Sequence, residues 1–231
     1  MSRFLACTAA AIALAAAACT DFASPAELTK PTILAVIADP PVVQPGAQAT
    51  FETIVVDANG VLGPLPTRHT LIETYPGVPP IGRIEEDAGG ARYIAPDPVP
   101  PLPGNAPPLD SVSVAIDGPE GTLTAIKVMA VLPTTAANPT IASLTIGDGD
   151  ALAGPVTVAR GAAVALAVTS DPPAGDDARF AWYSSAGEIA YYQSTPTEMI
   201  AAEEPGMRML YVVVRDGRGG VAWRAVQIEV Q

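Results

Sequence analysis

After residue 30, apolar and polar positions alternate with a period of two, in short runs rich in valine, isoleucine and threonine. Clusters of Gly, Pro and Asp separate the runs, and helical periodicity is weak. Side chains of a strand point alternately to opposite faces of a sheet, so regularly punctuated runs of this kind predict an all-β sandwich or barrel. In the first half the expected strands are Thr32–Ala38, Gln48–Asp57, His69–Thr74, Ala91–Ile94, Asp110–Ile116 and Leu123–Leu132. In the second they are Thr140–Ile146, Val156–Val158, Ala163–Thr169, Arg179–Tyr183, Ala190–Gln193, Glu198–Ala201, Arg208–Arg215 and Val221–Val230. Val112, Val114 and Ile116 share one face, as do Ile126, Val128, Ala130 and Leu132. Val164, Leu166 and Val168 alternate inward, as do Ala222, Val226, Ile228 and Val230.

The front of the chain breaks this pattern. Met1-Ser2-Arg3 precedes a run from Phe4 to Ala18 without charge or proline. The run is shorter than the ~20 apolar residues of a spanning helix and fits a secretory signal. Its end, Leu14-Ala15-Ala16-Ala17-Ala18-Cys19, resembles a bacterial lipobox, with Ala16 where that motif usually carries leucine. Cys7 lies within the signal, so Cys19 would be the single cysteine of the mature chain, at the position a lipobox requires. The resemblance implies acylation at Cys19 and a lipid anchor in a membrane without a spanning helix. Thr20 follows the cysteine, and Asp21 stands one place beyond where an aspartate retains such proteins at the inner membrane. The resemblance thus implies export to the cell envelope, at the outer membrane. The expected organisation is a signal peptide over 1–18, a tether over 19–30, an Ig-like domain over 31–132, a proline-bounded linker over 133–139 and a second domain over 140–231.

Both halves carry motifs of a family. Val42-Val43-Gln44-Pro45-Gly46-Ala47-Gln48-Ala49-Thr50-Phe51 and Ala91-Arg92-Tyr93-Ile94-Ala95-Pro96 resemble the opening and a strand end of bacterial Ig-like repeats. Ala159-Arg160-Gly161-Ala162-Ala163-Val164, then Phe180-Ala181-Trp182-Tyr183 with Gly187, then Tyr211-Val212-Val213-Val214-Arg215-Asp216-Gly217 through Gly220, resemble a PKD-type domain. The resemblance implies two tandem immunoglobulin-like β-sandwich domains, with Trp182 filling the core between sheets. The first half departs from the pattern, because His69–Thr74 carries no tryptophan. Such families imply spacers, adhesive modules and protein-binding modules, and no reaction.

Charge and composition narrow the partners. Lys and Arg total 12 against 24 Asp and Glu, for a formal net charge of −12. That balance disfavours nucleic acid, whose phosphates demand basic patches. The sole histidine, His69, is expected to be structural, and with no usable cysteine a zinc site is disfavoured. No cofactor is expected. Asp148 and Asp150 on one loop, and Asp171, Asp176 and Asp177 on another, could share a calcium ion if both loops fell at one end of the second sandwich. Glu85-Glu86-Asp87 and Glu203-Glu204 are read as solvated acids, since nothing places them across a cleft. By strict alternation Tyr183 and Trp223 point outward where Trp182, Val226 and Ile228 point inward. With Tyr191 or Tyr192 they could form an exposed patch for an envelope protein or a glycan; cover by a loop or by the first domain is the alternative. The sequence therefore favours a non-enzymatic envelope lipoprotein that binds or spaces surface components. A calcium- or glycan-dependent adhesion module comes second, and a hydrolase third.

Overall fold

The computed structural model describes residues 24–88, 90–118 and 120–231. The first half contains β1 (Thr32–Asp39), β2 (Val42–Val43), β3 (Gln48–Val56), β4 (Thr67–Ile72), β5 (Arg83–Asp87), β6 (Gly90–Ile94), β7 (Leu109–Gly118) and β8 (Gly121–Val131). They form two four-stranded sheets, β1-β3-β6-β5 and β2-β8-β7-β4. The second half contains β9 (Thr140–Ile146), β10 (Gly149–Asp150), β11 (Val156–Val158), β12 (Ala163–Asp171), β13 (Arg179–Ser184), β14 (Gly187–Ile189), β15 (Thr197–Ala201), β16 (Gly206–Arg215) and β17 (Val221–Val230). Its sheets are β10-β9-β12-β15-β14 and β11-β17-β16-β13.

The two halves share one topology. Strands one, two, five and four of the immunoglobulin scheme make one sheet, and three, six and seven the other. In each half a short strand, β2 or β11, runs parallel to the last strand, β8 or β17. The molecule is two tandem immunoglobulin-like sandwiches, and this strand order carries the assignment. Trp182 is fully buried in the second core, with its indole N–H donating to Ser194 O at 2.8 Å.

Several expected strands shift. Ala190–Gln193 is a turn, and the strand lies earlier, at β14. The edge strand β5 follows no apolar alternation, because Arg83, Glu85, Glu86 and Asp87 crowd it; charges on an edge block pairing with another chain. Ile126, Val128 and Leu132 do share a face, but it is the outer one, with Ile126 63% exposed. The inward face of β8 carries Lys127, Met129 and Val131. Register decides this: Val112 and Val114 are core residues, and they pair with Lys127 and Ala125.

A third apolar cluster joins the sandwiches. Leu34, Ala35, Ile54 and Val56 of the first pack against Ala181, Tyr211, Val213 and Val221 of the second. Hydrogen bonds cross the same junction. Arg215 donates to Leu34 O at 2.8 Å, Ser185 Oγ to Ala58 O at 2.8 Å and Tyr211 Oη to Asp57 O at 3.3 Å. Asn138, in the linker, donates to Ala38 O at 2.8 Å and accepts from Val221 N at 2.9 Å. The expected free tether is also docked from residue 26 on. Ala26 and Leu28 are buried, Ser184 N donates to Ala26 O at 2.8 Å, and Leu28 N donates to Ser184 O at 3.1 Å. The apolar pair Ala26 and Leu28, two apart, covers the edge of β13 as a strand would.

Candidate functional site

His69 lies on β4, an inward position on the strand equivalent to β13, whose inward residue is Trp182. An imidazole fills less of that space than an indole. It stacks on Phe51, with centroids 5.2 Å apart and ring planes at 17°. Its side chain is 9% exposed. Nδ1 sits 3.4 Å from Glu86 Oε1, too far for a good hydrogen bond, and neither ring nitrogen has a hydrogen-bond partner among the described residues. Burial lowers the imidazole pKa, with Glu86 opposing. Glu86 instead accepts from the His69 backbone N–H at 3.2 Å, tying β4 to β5.

Beside this pair opens a groove of about 560 Å³. Phe51–Val55 of β3 form one wall, Leu62–Leu65 of the following loop a second, and Glu86, Asp87, Gly90 and Ala91 a third. Trp223 of the second sandwich closes it. Sequence alone sets Glu86 among solvated acids and makes His69 structural; the fold brings both to one groove because β4 and β5 are neighbouring edges of opposed sheets. No periodicity signals this, since the pairing of edges depends on tertiary packing.

The aromatic residues do not form one exposed patch. Tyr183 and Trp223 do point out of their own core, but into the junction, half-buried against the third cluster. Tyr192 packs on the second core, and only Tyr191 stands out, at 73% exposed. The first domain is the cover.

The acidic loops do not converge either. Asp148 and Asp150 follow the end of β9 at Ile146, which pairs with Leu166. Asp171 pairs with Thr140, at the other end of the same ladder, and Asp176 and Asp177 follow it. About six residues at ~3.3 Å each hold the two loops some 20 Å apart, and no acidic group with metal-binding geometry occurs among the described residues. Asp150 caps its own turn, accepting from Leu152 N at 2.9 Å. Glu204 pairs with Arg208 at 3.4 Å on the surface. Cys19 lies outside the described residues.

Two buried polar groups escaped the sequence reading. Asp110, 1% exposed, accepts from Ile81 N at 2.9 Å, Gly82 N at 2.7 Å and Tyr93 Oη at 2.7 Å. Burial, then Asp110, raises the Tyr93 pKa. Lys127 is 6% exposed and donates to Gly219 O at 2.5 Å across the junction. Burial brings its pKa down to about 8, with Asp216 opposing and Arg215 adding to the shift.

No family model matches the chain, and a search of curated proteins finds no match. Among solved structures, a chimeric titin Z1Z2 tandem is 14% identical, covering 87% of this chain and 100% of that one at a TM-score of 0.33. The Ig1-2 module of the Drosophila receptor tyrosine phosphatase DLAR is 15% identical, covering 87% and 98% at 0.32. A nucleoside hydrolase-related protein from Saccharophagus degradans is 14% identical at 0.33, and the matched part is 44% of this chain and 28% of that one. Among the described residues no helix is long and apolar enough to cross a membrane.

Proposed function

We propose that this chain is a non-enzymatic lipoprotein of the cell envelope, anchored through Cys19 at the outer membrane, whose sandwiches act as one stiff binding module. The observation that carries the binding reading is the junction. Leu28, Leu34, Ile54, Val56, Tyr211 and Val213 are buried between the sandwiches, so large apolar residues fix the angle between domains. A flexible spacer has no use for such a contact, whereas a binding surface built from both domains does: interdomain contacts restrict motion when they are extensive and apolar. The groove closed by Trp223 is a surface of that kind.

The address is tested by intact mass of the full chain expressed in a bacterial host, beside Cys19→Ala. A diacylglyceryl-modified chain beginning at Cys19, absent in the variant, supports the anchor. An unmodified chain beginning elsewhere overturns it.

A further inference from the structure

We infer that the groove beside β3 docks an extended peptide segment, which pairs with the free edge of β3 between Phe51 and Val55 and carries basic residues around an apolar one. The inference deepens the binding reading above and needs no membrane anchor.

The first observation is an interrupted ladder. β6 pairs with β3 only from Gln48↔Ile94 to Thr50↔Arg92, whereas β3 runs on to Val56. Before the gap, Ala47 O accepts from Ala95 N at 2.9 Å on this side; beyond it, Val55 O accepts from Leu62 N at 2.9 Å. Backbone groups of an antiparallel strand turn to alternate sides residue by residue. Ala47 and Val55 both use this side, so Phe51 C=O and the N–H and C=O of Thr53 turn the same way, into the groove; the Phe51 N–H is taken up by the Thr50↔Arg92 end of the β6 ladder. The bulge between Ile33 and Ala35 lies in β1 and leaves β3 regular. Unpaired donors and acceptors along a strand are a template for a further strand, with backbone bonds giving affinity and alternate side-chain sites giving selectivity.

The second observation is room. A Cβ added at Gly63 or at Gly90, on the two banks, would meet nothing within 4 Å. The groove volume, about 560 Å³, lies within the ~300–1,000 Å³ typical of ligand sites. The third is its chemistry. Phe51, Ile116 and the His69 ring, whose nitrogens are buried, line the floor, where an apolar side chain would sit. Glu52 and Glu86 stand on the rim of a chain whose net charge is −12. Complementary charge steers encounter and selects partners, so the segment is basic.

Trp223 walls the groove and Trp182 is fully buried, so tryptophan fluorescence reports occupancy. The test titrates the full-length protein with a capped Lys-Val-Thr-Val-Thr-Lys peptide. Two comparison peptides carry N-methyl groups on alternate amides, or Glu in place of Lys. We expect a saturable change with the Lys peptide, and affinity at least tenfold weaker after N-methylation. Thr53→Pro removes an N–H that faces the groove and none of the β1 ladder; it should weaken binding as much. Glu52→Lys should weaken the Lys peptide and strengthen the Glu peptide. If Thr53→Pro does not fold, the N-methyl comparison on the unaltered protein still decides. Absence of binding by the Lys peptide, or equal binding by the N-methylated one, overturns the inference. A lipidated Cys19 with a null titration would remove this site and leave the anchor standing; binding by an unlipidated chain would do the reverse.

Discussion

Lys127 shows how a single residue can set both a domain contact and a pH response. Its ammonium is buried at the junction, where it meets Gly219 O, Asp216 and Arg215. Folding lowers its pKa from 10.5 to about 8. The unfolded chain therefore holds a proton that the folded chain lacks between those values, and stability falls as pH drops from 10.5 to 8, then levels. At ~1.4 kcal/mol per unit, the loss is of order 3 kcal/mol. Lys127→Met removes that loss. Urea unfolding of both proteins from pH 10.5 down to 8 should show the variant gaining stability relative to the parent by a few kcal/mol; a constant difference across the range would show that the lysine stays charged in the fold. His69 responds at the acid end. Its lowered pKa makes charging it unfavourable, so stability falls as pH drops below 6.5.

At the scale of elements, Asp110 at the start of β7 holds two neighbours in place: the segment before β5, through Ile81 and Gly82, and β6, through Tyr93. Asp110→Ala strands those donors in the core, where each unsatisfied group costs about 1–3 kcal/mol; a loss of at least 3 kcal/mol in chemical denaturation is expected. Gly82 is part of the same fit, since an added Cβ would lie 2.5 Å from the Tyr93 ring. Gly82→Ala should push the ring off Asp110, and Tyr93→Phe in the same background should then cost little more, which a double-mutant cycle measures. The inward runs of β7 and β12 were legible because valine, leucine and isoleucine alternate there without interruption, and that of β17 because Val226, Ile228 and Val230 do so over its second half. β8 misleads because its more apolar face looks outward and its core face includes a lysine; only its register with β7 reveals this. β5 was illegible for a related reason, being an edge whose charges oppose further pairing. The groove was legible only as ingredients. His69, Glu86 and Trp223 lie far apart in sequence, and nothing local shows that β6 stops short of the end of β3.

For the whole molecule, the decisive feature is that two sandwiches of the same topology, each with its own core, are joined by a third apolar core at their junction. Trimming Leu34 to alanine opens a cavity in that core, for which about 2–5 kcal/mol is expected. Because Leu34 touches both domains, calorimetry of Leu34→Ala should show one unfolding transition separating into two, while the parent unfolds in one. A variant that loses stability but keeps a single transition would mean that Asn138 and the other hydrogen bonds hold the junction without Leu34. For the outward aromatics Tyr183 and Trp223 the sequence shows the direction and leaves the destination open between an exposed patch and cover by the first domain; the fold supplies the cover. Alternation reports which way a side chain points and is silent on what stands opposite.

The docked stretch around Ala26 and Leu28 shortens whatever precedes it. From Cys19 to Ala26 the chain reaches at most about 25 Å, at ~3.3–3.6 Å per residue. Under the proposed anchor this is a short leash. The corner of the second sandwich at Ser184 would ride close to the lipid, and a partner would have to come to the membrane to be captured. The molecule would then work as a fixed bracket on the bilayer and not as an arm sweeping the space beyond it.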